Sequence, residues 1–194
     1  MIDDVRHIAA TVVIAQPPPP VVHRMRGLVH RLIQLGRRNL RRERVAMHTA
    51  NEIADWFIAW AEDEHEATLS NLKLQKLLYY AQGHHLGQTG RPLFSEQIQA
   101  WSHGPVVPQI YHRFKKYGRS EIDPDVEISD DFNWDDYSDV SRELIRTWNT
   151  YGHLSAWSLR DRTHREEPWK KAFNGERNTI IDPDSMKAFF SAAA

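Results

Sequence analysis

Residues 72–118 read LKLQKLLYYAQGHHLGQTGRPLFSEQIQAWSHGPVVPQIYHRFKKYG, and this stretch decides the fold. Leu74, Leu77, Leu78 and Ala81 recur at helical spacing, and Ser70 stands where an N-cap belongs. The spacing predicts a helix from about Ser70 to about Leu86, ending before Gly87 and Gly90. Gly90-Arg91-Pro92 is a turn, and Ile98 to Trp101 reads as a short extended piece. His103-Gly104-Pro105 reads as a loop with few conformations, because Pro fixes one backbone dihedral. Pro108 suits the first position of the next helix, whose buried face is Ile110, Tyr111, Phe114 and Tyr117 and whose stop is Gly118.

The same reading extends in both directions. Upstream, Thr49-Ala50-Asn51-Glu52 is a capping box, and Ile53, Trp56, Phe57 and Trp60 follow on one face of a helix to about Asp63. Downstream, residues 119–137 are acidic and irregular, with a short strand expected at Val126-Glu127-Ile128. Ser138 is expected to cap a helix that buries Val140, Leu144, Trp148 and Tyr151 before Gly152. Ser155 to Arg162 reads as a short helix, Glu167-Pro168-Trp169 as a further turn, and Asp182-Pro183 as the start of a last helix bearing Met186, Phe189 and Phe190. The expected fold is mainly α: a bundle of six or seven helices with a small two- or three-stranded β element.

Composition sets the bounds. The 194 residues are 41% hydrophobic and 26% charged, the balance of a folded domain. There is no cysteine, which excludes disulfides, thiolate catalysis and cysteine-ligated metals. The absence is compatible with a reducing cytoplasm, the expected location. No apolar run approaches the roughly 20 residues of a membrane span. The run Ile8 to Ala15 follows Asp3 and Asp4 rather than a basic segment, so no signal peptide is expected.

The net charge of −1 conceals an asymmetry. Residues 1–46 hold nine Arg, no Lys and three acids, a balance of +6; residues 47–194 hold 16 basic and 23 acidic groups, a balance of −7. The first segment is broken by Pro17-Pro18-Pro19-Pro20, after which Met25, Leu28, Val29, Leu32 and Ile33 suggest a basic amphipathic helix. It reads as a basic, poorly ordered and solvated extension, and in the alternative as an arm for nucleic acid, an anionic surface or a partner groove. Met47, just before the first clean helix, is a plausible second start.

Little here suggests catalysis. His84 and His85 are adjacent and point about 100° apart on a helix, so they do not share an ion comfortably. His103, His112, His153 and His164 lie in separate elements. Glycine-rich phosphate loops and Gly-x-Ser-x-Gly elbows are absent. No catalytic residue, metal or cofactor is therefore expected. Lys73, Lys76 and Tyr80 share a helix face at spacings of three and four. They suit either a polar-aromatic patch for a protein partner, or half-buried tyrosines beside solvent-facing lysines. Trp101 next to His103-Gly104-Pro105 suits a recognition corner or a structural hinge.

These residues resemble a known family. Leu72 to Gln82 is similar to the central helix of the Panacea domain, also called SocA-like or GepA-like, the latter from a phage-associated protein. Gly90 to Phe94, Ala100-Trp101, His103 to Pro108, Tyr111 and Phe114 to Gly118 continue the resemblance. Ser155-Ala156, Leu159, Thr163-His164 and Pro168-Trp169 resemble its C-terminal block. The family often has an aromatic residue before Gly-Pro, where this chain has His103. The resemblance covers roughly 49–190 and leaves out 1–46. It implies an antitoxin of bacterial or prophage toxin–antitoxin pairs that neutralises a cognate protein toxin, encoded nearby, by direct contact. One branch of the family instead delivers its toxin to a Clp-type protease. A DNA-binding autoregulator would need the basic arm, since the −7 core repels phosphates. On this reading Lys73, Lys76, Tyr80, Trp101, His103, Gly104, Pro105 and Tyr111 form the contact or contact-shaping set.

Overall fold

The computed structural model describes residues 47–63, 69–173 and 178–192, all within the unit formed by residues 40–194. The basic segment 1–46, with its prolines and its expected amphipathic helix, lies outside the described residues.

Helix α1 (Ala50–Asp63) starts at the capping box. The Thr49 amide donates to Glu52 Oε2 at 2.7 Å, and the Glu52 amide donates back to Thr49 Oγ1 at 3.2 Å. Trp56, Phe57 and Trp60 are buried, with Trp56 and Trp60 stacked at 4.9 Å and Trp134 edge-on to both.

Helix α2 (Asn71–Thr89) is the axis of the domain. Ser70 caps it, and Gly90 ends it in the left-handed conformation. Every residue from Lys73 to Gly83 is buried. The helix runs a turn past the expected stop, because Gly87 is, like Gly83, a packing position rather than a terminator. A Cβ on Gly87 would lie 2.8 Å from the Phe190 backbone carbon and 2.9 Å from the Ser191 amide nitrogen. The two glycines, four residues apart on one face, let the last helix lie directly against α2.

The strands β1 (Gln99–Trp101) and β2 (Gly104–Val106) form a tight hairpin, with Ala100 opposite Pro105 and Trp101 opposite Gly104. A third strand, β3 (Thr179–Ile180), pairs with the other side of β1, giving the order β2-β1-β3. Gly104 and Pro105, expected in a loop, therefore open a strand; the turn itself is Ser102-His103. Pro105 is tolerated because β2 is an edge strand. Helix α3 (Pro108–Phe114) follows and tightens into a 3-10 turn over Lys115–Tyr117, which Gly118 closes.

Two expectations downstream need correction. The strand expected at Val126-Glu127-Ile128 is a one-turn helix, α4 (Pro124–Glu127), because Pro124 presets the helical dihedral and Asp123 accepts from the Asp125 amide. Ser138 does not cap the next helix. It ends a 3-10 turn, Trp134–Tyr137, and α5 (Ser141–Tyr151) begins after Val140. Helices α6 (Ala156–Thr163), α7 (Glu167–Ala172) and α8 (Pro183–Ser191) complete the set, with Ser155 and Asp182 as N-caps of α6 and α8. The described residues thus hold eight α-helices rather than six or seven, around one small antiparallel sheet.

Candidate partner-binding corner

Asn71, Lys73, Gln75, Lys76 and Gln82 of α2 are buried, and most of them tie loops to the helix. Lys73 Nζ donates to the Gly152 carbonyl at 2.6 Å, at the C-terminal end of α5, where the helix dipole favours a cation. Lys76 Nζ donates to the Pro105 carbonyl at 2.8 Å. Gln75 Oε1 accepts from the Val107 amide at 2.8 Å, and Asn71 Nδ2 donates to the Tyr111 carbonyl at 3.1 Å. Gln82 accepts from the Leu93 and Phe94 amides and donates to the Phe94 carbonyl, which holds the Gly90–Phe94 turn. Tyr80 stacks on Tyr151 at 3.8 Å, and its hydroxyl donates to Glu166 Oε1 at 3.1 Å.

The eight residues expected at a partner surface therefore fall into two groups. Lys73, Lys76, Tyr80, Gly104 and Pro105 are buried, and Lys76 and Tyr80 are wholly enclosed. The two lysines are neither a contact patch nor a solvent face. They are internal struts, placed inside because α2 is surrounded by other elements. Trp101 is half-buried, while His103 and Tyr111 are exposed. The Trp101 and Tyr111 rings meet edge to face at 5.0 Å, and His103 lies in the turn of the hairpin.

Helix α6 adds residues that the sequence reading left out. It buries Leu159 and Thr163 and turns Trp157 and Asp161 outward, with Arg160 and His164 half-buried on the same face at spacings of three and four. Trp157 is 56% exposed and meets the His103 ring edge-on at 5.7 Å. His164 stacks on Trp169 at 3.9 Å, and Trp169 Nε1 donates to the Trp101 carbonyl at 3.1 Å. The signal was present in the sequence: a Trp set on the polar side of a short helix.

Lys76 lies directly beneath this corner. Burial, and then the charge of Arg160, push its ammonium down to about 7 from 10.5. Between these values the unfolded chain carries a proton that the folded chain lacks, so Lys76 makes stability rise with pH across that window. Below about pH 7 it is charged in both states, and the full burial penalty, at most about 5 kcal/mol, is felt. Lys76→Met is expected to be more stable than the parent at pH 6 by about 3 kcal/mol. At pH 10 it should be less stable by about 1 kcal/mol, because the Pro105 carbonyl loses its donor. Urea unfolding at pH 6, 8 and 10 would reveal this crossover.

Among the described residues, no group of three or more His, Asp or Glu side chains could hold a metal ion. A cleft of about 350 Å³ lies elsewhere, lined by His84, Glu143, Arg146, Tyr151, Arg162 and Glu166 among others, and by none of the eight expected residues. Among the described residues, no helix is long and apolar enough to cross a membrane.

Comparison with known proteins bears on the whole arrangement. The family described as "Antitoxin SocA-like, Panacea domain" matches residues 74–170, which run from α2 through the hairpin and α6 into α7. This chain belongs to that family. The Panacea match thus takes in every residue of the corner, and of the eight expected residues only Lys73 lies outside it, by one position. "Antitoxin SocA" from Caulobacter vibrioides (strain NA1000 / CB15N) is 34% identical over 119 residues, covering 55% of this chain and 61% of the relative. The chain therefore spans about three fifths of that relative's length. No solved structure matches.

Proposed function

We propose that this Panacea-domain chain is an antitoxin that neutralises a protein toxin by binding it directly, and that it is not an enzyme. The observation that carries this reading is the corner itself. Two ring pairs, Trp101 with Tyr111 and His103 with Trp157, flank a hairpin whose backbone is fastened from within by Lys76 and Gln75. Rigidly presented aromatic rings are what protein interfaces use as anchors, because they bring large contact area at little cost in lost rotamer freedom. On this reading Trp101, His103 and Tyr111 touch the toxin, while Lys73, Lys76, Tyr80, Gly104 and Pro105 shape the surface that does. The name of the Caulobacter relative supports the antitoxin role.

An interface on the order of 1,200–2,000 Å² suits a stable inhibitory complex. The test is to express the protein encoded in the adjacent reading frame, alone and together with this chain. The neighbour alone should arrest growth, co-expression should restore it, and the two should co-purify at fixed stoichiometry. A neighbour that is harmless alone, or that stays toxic beside this chain, sinks the reading.

A further inference from the structure

The corner carries an unbalanced charge. Residues 47–194 sum to −7, yet this surface sets the Arg160 guanidinium, with Lys76 enclosed behind it, against one exposed acid, Asp161. Burial, and then Arg160 and Lys76, hold His164 below the usual histidine range; His103 acts in the same direction, and Asp161 is the acid opposing them. Lys76 is enclosed, with its ammonium on a neutral carbonyl rather than a carboxylate. Arg160 engages Asp161 through Nη1 at 2.8 Å, while its Nε and His164 Nε2 are buried without a hydrogen-bond partner among the described residues. Asp161 is itself exposed, so its hold on Arg160 is screened and weak. By contrast, the cleft elsewhere mixes Glu143 and Glu166 with Arg146 and Arg162, which gives it no preferred sign.

We propose that the Trp157–Arg160–His103 face receives an acidic segment of the partner protein, with an Asp or Glu carboxylate on the Arg160 guanidinium and the neighbouring residue laid against Trp157 and His103. This rests on the antitoxin reading and specifies the chemistry of its partner. Arg160 is a planar, permanently charged guanidinium whose Nη1 is on the exposed Asp161 and whose Nε is buried, so its outer Nη edge is where a partner carboxylate would be received, beside Asp161 or in its place. Trp157 and His103 form an aromatic wall beside it, which excludes water from the pair and strengthens it. A nucleic acid is disfavoured as the occupant, because the −7 of the domain repels a phosphate backbone over more than this one spot.

The test uses the full chain and the protein encoded in the adjacent reading frame, with binding followed by calorimetry at about 0.1 M and about 0.3 M salt. Trp157→Ala should weaken binding at least about tenfold. Arg160→Glu should weaken it more, by about fiftyfold or beyond, and flatten its salt dependence. Both positions are at least partly exposed, so melting temperatures should stay close to that of the parent, which separates lost contact from lost fold. A photo-crosslinking residue placed at position 157 should capture a partner peptide rich in Asp or Glu. Reversing the captured acid to Lys should restore binding to Arg160→Glu.

Folded variants that bind as tightly as the parent would overturn the inference while leaving the antitoxin reading intact, as would a crosslink to a basic or purely apolar peptide. Binding of a short DNA duplex that is lost in Arg160→Glu would replace the protein segment with nucleic acid. Failure of the unaltered chain to bind its neighbour would remove both readings together.

Discussion

Gly104→Ala is expected to lower the stability of the domain by about 3–5 kcal/mol, a drop of roughly 10 °C or more in melting temperature. Two effects add. Gly104 has φ of 96°, a conformation that an alanine adopts only under strain. A Cβ there would also stand 2.7 Å from Lys76 Cε and 2.8 Å from Thr163 Oγ1, so the side chain that fastens Pro105 would have to move. Gly118 offers the control. It too has positive φ, at 57°, but a Cβ would meet nothing within 4 Å. Gly118→Ala should therefore cost only the backbone strain, about 1–3 kcal/mol. Thermal melts of the two variants would separate the steric share from the conformational share; equal losses would mean that the Lys76 contact does not matter.

The second large effect is expected at Gly83. Alanine there gains about 1 kcal/mol in helix propensity, so an exposed site would be stabilised. Here the Cβ would fall on the Phe190 ring, 2.6 Å from Cζ, in a cluster where that ring is buried edge-on to Tyr79 and His84. Gly83→Ala is therefore expected to destabilise by about 2–4 kcal/mol. Phe190→Ala alone should cost about 3–5 kcal/mol through the cavity it leaves. With the ring gone the alanine has room, so the double variant should be no less stable than Phe190→Ala. A coupling of about 2 kcal/mol or more in the cycle is the expected result, and simple additivity would contradict the close approach of α8 to α2.

The helices were legible wherever a cap and a periodic apolar face coincided. The Thr49–Glu52 box, Ser70, Ser155 and Asp182 all stand at the starts read from them. What misled was local signal overruled by neighbours. Gly87 carries the signature of a helix stop but, like Gly83, serves a helix contact, visible only once α8 is in place. Val126 and Ile128 favour a strand, yet Pro124 and Asp123 set the backbone first. The candidate site divides along the same line. Trp101 and His103 could be placed near a turn from their own surroundings, whereas Tyr111, expected on the buried face of its helix, is exposed. Burial of Lys73 and Lys76 could not be read, since nothing in their spacing shows that α2 is enclosed on every side. Trp157 and Arg160 join the corner only through the packing of α6 beside the hairpin.

The ties that radiate from α2 end mostly on main-chain atoms: the carbonyls of Gly152, Pro105, Phe94 and Tyr111, and the amides of Leu93, Phe94 and Val107. An anchor of that kind is blind to what side chain its loop displays. Outside Gly104 and Pro105, residues on the rim can be exchanged without loosening the mount that holds them. Such a scaffold can be refitted for an altered target one surface residue at a time, its alphabet of displayed groups uncoupled from the grammar that keeps the loops in register.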